Sequence, residues 1–267
     1  MPFTEHQGVR IHYRMEGSGP TILMVHGHTN SAQGWYDGGY VAALAPTYRL
    51  VMPDLPGHGQ SDRPHDLAPY GRERLVGAML AALDAAGGGR AIYWGYSQGT
   101  MIGFGTALLA AERFDAWVLG GMHPYGPTDG RKNARVEPLR QGMEAYIAWM
   151  EAQQGPFAPE RRARMLAADA QALASCAEAT DAYRHQPEAL AKLTAPALFY
   201  CGTADGLFEG AQRAAAAVPG TRFVALPGLN HGQASARGDM ILPAVVPFLA
   251  EVTAAHVAIP SPLMGEG

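Results

Sequence analysis

Cysteine is almost missing from this chain: Cys176 and Cys201 are the only two in 267 residues. Two thiols cannot build a disulfide framework, and no Cys-x-x-Cys or Cys/His spacing offers a metal site, so each is expected to be a buried thiol. Charge is sparse too, at 16% of residues with a formal net charge of −4. That leaves no basic field for nucleic acid or an anionic membrane and points to small molecules as partners. The opening Met-Pro-Phe-Thr-Glu-His-Gln lacks the basic start and continuous apolar run of a secretory signal. No uninterrupted apolar stretch is long enough to span a bilayer, so elimination predicts a cytoplasmic protein.

What the chain does have is a 48% apolar content spread over a length that can bury one sizeable core. Residues Thr4 to Met15 alternate around Gln7-Gly8 and predict an antiparallel hairpin feeding a strand at Thr21–Val25. Short apolar runs then recur at Tyr48–Met52, Ala91–Trp94, Ala116–Leu119, Ala197–Tyr200 and Arg222–Leu226. Segments of helical periodicity separate them, such as Tyr70–Ala85, with Leu75, Met79, Leu80 and Leu83 on one face before Gly87-Gly88-Gly89. Strands buried on both faces and joined by helices make an α/β fold, a mostly parallel, doubly wound sheet.

Between Met122 and Leu193 this rhythm stops, and two helical stretches take its place. In the first, Val136, Leu139, Met143, Tyr146, Ile147 and Met150 recur at helical spacing with Trp149 beside them; the second, Pro159 to Arg184, is rich in Ala and Arg. Packing against the main domain is the simple reading of such a stripe, and roofing a substrate pocket the sharper one. The chain divides on this basis into a core of residues 1–121 and 194–256, a helical cap of 122–193 and a disordered tail of 257–267.

The chemistry centres on Gly95-Tyr96-Ser97-Gln98-Gly99, set between the strand Ala91–Trp94 and a helical run from Thr100 to Ala111. With 33 glycines and seven serines, chance would produce Gly-x-Ser-x-Gly about 0.1 times, so its strand–turn–helix setting is what gives it weight. A serine at such a turn sits in a strained backbone conformation, and flanking glycines let neighbouring segments approach. The turn also places Ser97 at a helix N-terminus, where free N–H groups favour developing negative charge. The plain alternative is an N-cap serine.

Four further segments carry a resemblance to the α/β-hydrolase superfamily, spanning about residues 5 to 255. Val25-His26-Gly27-His28 resembles that family's oxyanion loop, and Asp54-Leu-Pro-Gly-His-Gly-Gln-Ser61 its Asp-x-x-Gly-x-Gly-x-Ser turn. Gly202-Thr-Ala-Asp205 and Leu229-Asn-His231-Gly232 stand after strand candidates, where the family places its acid and its histidine. The resemblance implies Ser97 as nucleophile, His231 as base and Asp205 as its acid, in the chain order the fold uses, with Asp54 as a hydrogen-bonding brace. It implies backbone N–H donors at His28 and Gln98 for the oxyanion; His28 stands where many relatives carry an apolar residue, which leaves open whether its imidazole touches substrate. His26 and His28 as metal ligands lack a third partner, and the reading calls for no metal or cofactor.

The expected reaction is acyl transfer on a carboxylic ester or lactone of a small, mostly apolar substrate, in a pocket lined by Tyr125, Met143, Tyr146, Trp149 and Met150. Relatives that cleave epoxides or carbon–halogen bonds carry aspartate at the elbow, which disfavours those reactions here. A carbon–carbon bond hydrolase, a cofactor-free perhydrolase and a slow-turnover receptor-like protein share the frame, and the sequence does not separate them.

Overall fold

The structure is a computed structural model that describes residues 2–130 and 132–257. It begins with the expected hairpin, β1 (Phe3–His6) and β2 (Val9–Glu16), whose two turn residues both have positive φ, 50° at Gln7 and 82° at Gly8. That turn matches the right-handed twist of the strands it joins. The remaining strands are β3 (Thr21–Val25), β4 (Arg49–Pro53), β5 (Ala91–Tyr96), β6 (Phe114–Gly120), β7 (Ala197–Gly202) and β8 (Arg222–Leu226). They form one eight-stranded sheet in the order β1-β2-β4-β3-β5-β6-β7-β8, antiparallel where β2 joins β1 and β4 and parallel from β4 to β8.

Period-two alternation sends each strand's side chains to two different cores. Leu23, Val25, Tyr93, Trp117, Leu119 and Phe199 meet α3 (Arg72–Ala85), α4 (Gln98–Ala110) and α9 (Phe208–Ala216) on one face. Ile22, Met24, Trp94, Val118 and Tyr200 meet α1 (Gln33–Asp37), α2 (Tyr40–Leu44) and α11 (Gly238–Val257) on the other. Because both faces are covered, β5 and β7 are buried along their whole length, which is why they read as unbroken apolar runs.

Among the described residues, the interval between β6 and β7 contains four α-helices rather than the two stretches expected. Gly142, with φ of 114°, separates α5 (Val136–Arg140) from α6 (Met143–Gln154). The Asp169 carboxylate accepts the Ala172 N–H at 2.9 Å and so caps α8 (Ala170–Ala179), ending the run of α7 (Pro159–Leu166). A left-handed glycine and an N-cap aspartate override the apolar periodicity that runs through both junctions. These helices share an apolar cluster of their own around Leu139, Tyr146, Ile147, Met165 and Leu173.

The short helix α10 (His231–Ala234) follows β8, and α11 runs on to Val257; the tail expected over 257–267 lies, from residue 258 on, outside the described residues. Among the described residues no helix is long and apolar enough to cross a membrane. In the parallel region every strand's C-terminal end lies on one edge of the sheet, where the loops after β3, β5, β7 and β8 converge.

Candidate active site

Ser97 leaves β5 with φ of 54° and ψ of −112°, a left-sided conformation that costs a non-glycine residue about 1–3 kcal/mol. The neighbouring glycines make that turn possible. A Cβ on Gly95 would stand 2.6 Å from the Gly99 carbonyl, and one on Gly99 would run into the Val25 carbonyl. The Ser97 side chain is thereby presented at the start of α4 under the loop that follows β3.

Its Oγ lies 2.8 Å from His231 Nε2, and His231 Nδ1 lies 2.7 Å from Asp205 Oδ2. These side chains come from loops after β5, β8 and β7, and only the sheet brings them together. The other Asp205 oxygen accepts the Leu207 N–H at 3.0 Å. Burial pushes the Asp205 carboxyl up, but the His231 ring and the Leu207 N–H outweigh it and the net shift is downward, so the group stays ionised. An ionised acceptor at Oδ2 assigns the ring proton to Nδ1 and leaves Nε2 as the acceptor for the serine hydroxyl. Tyr96, whose hydroxyl burial holds well above its usual pKa, donates to the His231 carbonyl at 2.5 Å and fixes the backbone behind the ring.

Among the described residues, no hydrogen bond joins Asp54, Asp62 or Glu209 to His231. Asp54 is buried and accepts from Ala32 N–H at 2.7 Å and Gln60 N–H at 2.9 Å, and its Oδ2 lies 2.8 Å from His12 Nδ1. It braces the β4 loop against β2. Asp62 pairs with Arg10 at 3.3 Å, and Glu209 is exposed.

Neither the His28 nor the Gln98 backbone N–H has an acceptor among the described residues. Unpaired backbone donors of this kind are the groups that can meet developing negative charge. The side chains of the same residues face each other: His28 Nδ1 lies 2.8 Å from Gln98 Oε1, and Gln98 Nε2 donates to Cys176 Sγ at 2.9 Å. Since the amide nitrogen is spent on the sulfur, the oxygen accepts and the His28 proton sits on Nδ1. Burial, with the nearby His58 and Arg135, holds the His28 pKa well below its ordinary value, so the ring is neutral. Burial pushes the Cys176 thiol up to about 12, and it remains protonated. Both cysteines are buried free thiols. His26 is fully engaged, with Nδ1 2.8 Å from the Gly27 carbonyl and Nε2 accepting the Leu55 N–H at 3.1 Å.

A cavity of about 170 Å³ opens over Ser97 and His231, and a second of about 190 Å³ lies beyond Gln98; His28 and Arg135 border both. Of the five pocket residues expected from sequence, Tyr146 and Met150 line the first and Tyr125 the second. Met143 and Trp149 line neither, because α6 turns them into the cluster it shares with α8. Sequence reasoning missed Asp37, Arg135, Arg161 and Arg164 in the first lining. In the sequence the arginines of α7 stand out only as part of an Ala- and Arg-rich stretch, and no local pattern relates them to Ser97. Among the described residues, no three His, Cys, Asp or Glu side chains gather to hold a metal ion.

A family model described as the alpha/beta hydrolase fold matches residues 20–153. The solved structure of an enol-lactonase from Burkholderia xenovorans LB400 is similar at a TM-score of 0.82 and 26% identity, over 93% of this chain and 100% of that one. An esterase from Thermogutta terrifontis gives 0.81 at 20% identity, over 94% of this chain and 97% of that one, a likeness of fold. Among curated proteins, a putative 2-succinyl-6-hydroxy-2,4-cyclohexadiene-1-carboxylate synthase of Bacillus subtilis is 29% identical over 55% of this chain and 57% of its own length. Bifunctional epoxide hydrolase 2 of Sus scrofa is 31% identical over 49% of this chain and 23% of its own. The chain thus spans less than two thirds of the curated relatives it matches.

Proposed function

The chain belongs to the alpha/beta hydrolase fold family, and from that premise we propose that it is a serine hydrolase cleaving a carboxylic ester or lactone through an acyl-enzyme. The observation that carries this reading is the unbroken relay from Ser97 Oγ through His231 to Asp205, with links of 2.8 and 2.7 Å. A serine hydroxyl is a poor nucleophile until a neutral imidazole accepts its proton as the new bond forms.

In this reading Ser97 Oγ attacks the carbonyl carbon while His231 Nε2 takes the hydroxyl proton. The carbonyl oxygen becomes an oxyanion and is met by the N–H groups of His28 and Gln98, an interaction worth on the order of 3 kcal/mol per donor in such sites. Collapse expels the alcohol, to which His231 returns the proton, and leaves an ester on Ser97. Water, deprotonated by the same imidazole, releases the acid and restores the hydroxyl. Asp205 holds the tautomer and offsets the imidazolium charge throughout.

Epoxide opening fits poorly with Ser97. Attack of a serine oxygen on an epoxide carbon would leave an ether, which imidazole-activated water does not hydrolyse, whereas a carboxylate nucleophile leaves a cleavable ester. Residues 122–193 act as the cap in this reading, since α6 supplies Tyr146 and Met150, and α7 supplies Arg161 and Met165, to the cavity over Ser97. The test is p-nitrophenyl butyrate hydrolysis together with fluorophosphonate labelling, on wild type and Ser97→Ala. Turnover and labelling that vanish in the variant support the assignment; a wild type that neither turns over activated esters nor takes the label at Ser97 refutes it.

A further inference from the structure

Two guanidinium groups in the cavity over Ser97 have no anion to answer them. Arg161 comes from α7 and Arg135 from the residue just before α5, and both are half-buried in a lining whose only carboxylate among the described residues is Asp37. Asp37 is already taken by the exposed Arg164, at 2.7 Å. Neither Arg135 nor Arg161 joins an ion pair among the described residues. The Arg161 guanidinium is held by stacking over the Phe157 ring, 4.3 Å from its centre. No acid tunes it: burial lowers its pKa, the Tyr146 hydroxyl draws it back, and Arg164 lowers it further. Arg135, Tyr146 and Arg161 all line this cavity, and the charges of both arginines bear on the Tyr146 hydroxyl.

A cation taken partly out of water without a counter-charge costs free energy unless a ligand supplies the charge. The solvated arrangement is available on the same helix, where Arg162 is exposed. The chain as a whole is acidic, at −4, so this positive pair runs against its average. Arginine is also suited to grip a carboxylate with two parallel hydrogen bonds. We propose that Arg135 and Arg161 form an anion subsite and that the substrate is a small ester or lactone carrying a carboxylate a few bonds from the scissile carbonyl. The proposal rests on the acyl-transfer reading for the place of that carbonyl at Ser97. A cavity of about 170 Å³ suits an acyl group only slightly larger than benzene, which a five-carbon diacid half-ester fits.

The experiment compares p-nitrophenyl valerate with mono-p-nitrophenyl glutarate, which differ by a terminal methyl against a carboxylate, after subtraction of spontaneous hydrolysis. Wild type is expected to favour the glutarate at least tenfold in kcat/KM. Arg135→Gln and Arg161→Gln should each cut that ratio tenfold or more, Arg161→Lys should restore part of it, and raising the salt should shrink it in wild type, a readout that needs no variant to fold. A wild-type ratio at or below one, or a ratio that neither the glutamines nor salt move, overturns the subsite. If neither ester turns over and Ser97 resists fluorophosphonate, acyl transfer fails by itself, and calorimetric titration of glutarate into Ser97→Ala decides the subsite. Binding weakened tenfold by Arg161→Gln sustains it; no binding overturns it.

Discussion

Acid should destabilise this protein through His58 well before its carboxylates are protonated. The ring is buried, with Nδ1 2.9 Å from the Pro56 carbonyl and Nε2 without a partner among the described residues. His26 and His28 stand against it, each with ring centres 5.3 Å away. Burial above all, helped by the His26 charge, pushes the His58 pKa down to about 3 from 6.5. The unfolded chain therefore binds a proton between those values that the folded chain refuses. The stability His58 contributes is complete above pH 6.5 and is lost as pH falls toward 3, at about 1.4 kcal/mol per unit. Between pH 7.5 and pH 5 that amounts to about 2 kcal/mol from this ring alone. Asparagine can still donate to Pro56 but cannot titrate. Urea unfolding of wild type and His58→Asn at both pH values isolates the effect, because His26 and His28, also depressed by burial, largely cancel in the difference. The stability advantage of wild type over the variant should shrink by about 2 kcal/mol at pH 5. An advantage that stays constant within about 0.5 kcal/mol would mean the buried ring titrates normally, and the reasoning fails.

Other expectations follow from the same geometry. Asp205→Asn should fold normally yet lower kcat by a factor on the order of 10³–10⁴, since the amide no longer holds the His231 tautomer; steady-state kinetics beside circular dichroism checks both halves. The same exchange at Asp54 should act through stability, because the amide cannot accept from Ala32, Gln60 and His12 together; a loss of about 3 kcal/mol or more is expected in denaturant titration. Asp54 also weakens the fold in strong acid, since its carboxyl is held below 3.8: burial pushes it up, and His26 with two N–H donors more than reverses that. Its contribution is present above 3.8 and disappears as pH drops through the lower folded value. Gly99→Ala should abolish soluble expression or the native fold, because a methyl there meets the Val25 backbone, which cannot yield.

The parts of this molecule written locally in the sequence are the ones a local reading recovers. The Gln7-Gly8 turn, the buried strands and the Ser97 elbow each depend on residues a few positions apart. Asp205 and His231 were placed by resemblance and chain order, and they meet Ser97 only because three loops end on one edge of the sheet. The first cavity is different in kind. Asp37, Arg135 and Arg161 lie far apart in sequence and meet through a cluster whose internal packing cannot be read from periodicity. Helical spacing identified the apolar face of α6 but not the body it would touch, so Met143 and Trp149 were expected at the substrate and pack instead among α5 to α8.

The hydrogen bond from Gln98 to Cys176 spans 78 positions and joins the residue after Ser97 to α8. It is one of several buried rivets on that side, with Gln186 donating to the Met101 carbonyl at 2.8 Å. On the opposite side α7 is fastened to α1 by the exposed Arg164–Asp37 pair, a bond worth less than about 1 kcal/mol. The inserted helices are thus clamped along one border and merely latched along the other. Hydrogen exchange should run through α7 well before α8, because the border held by the Arg164–Asp37 pair is the weaker of the two.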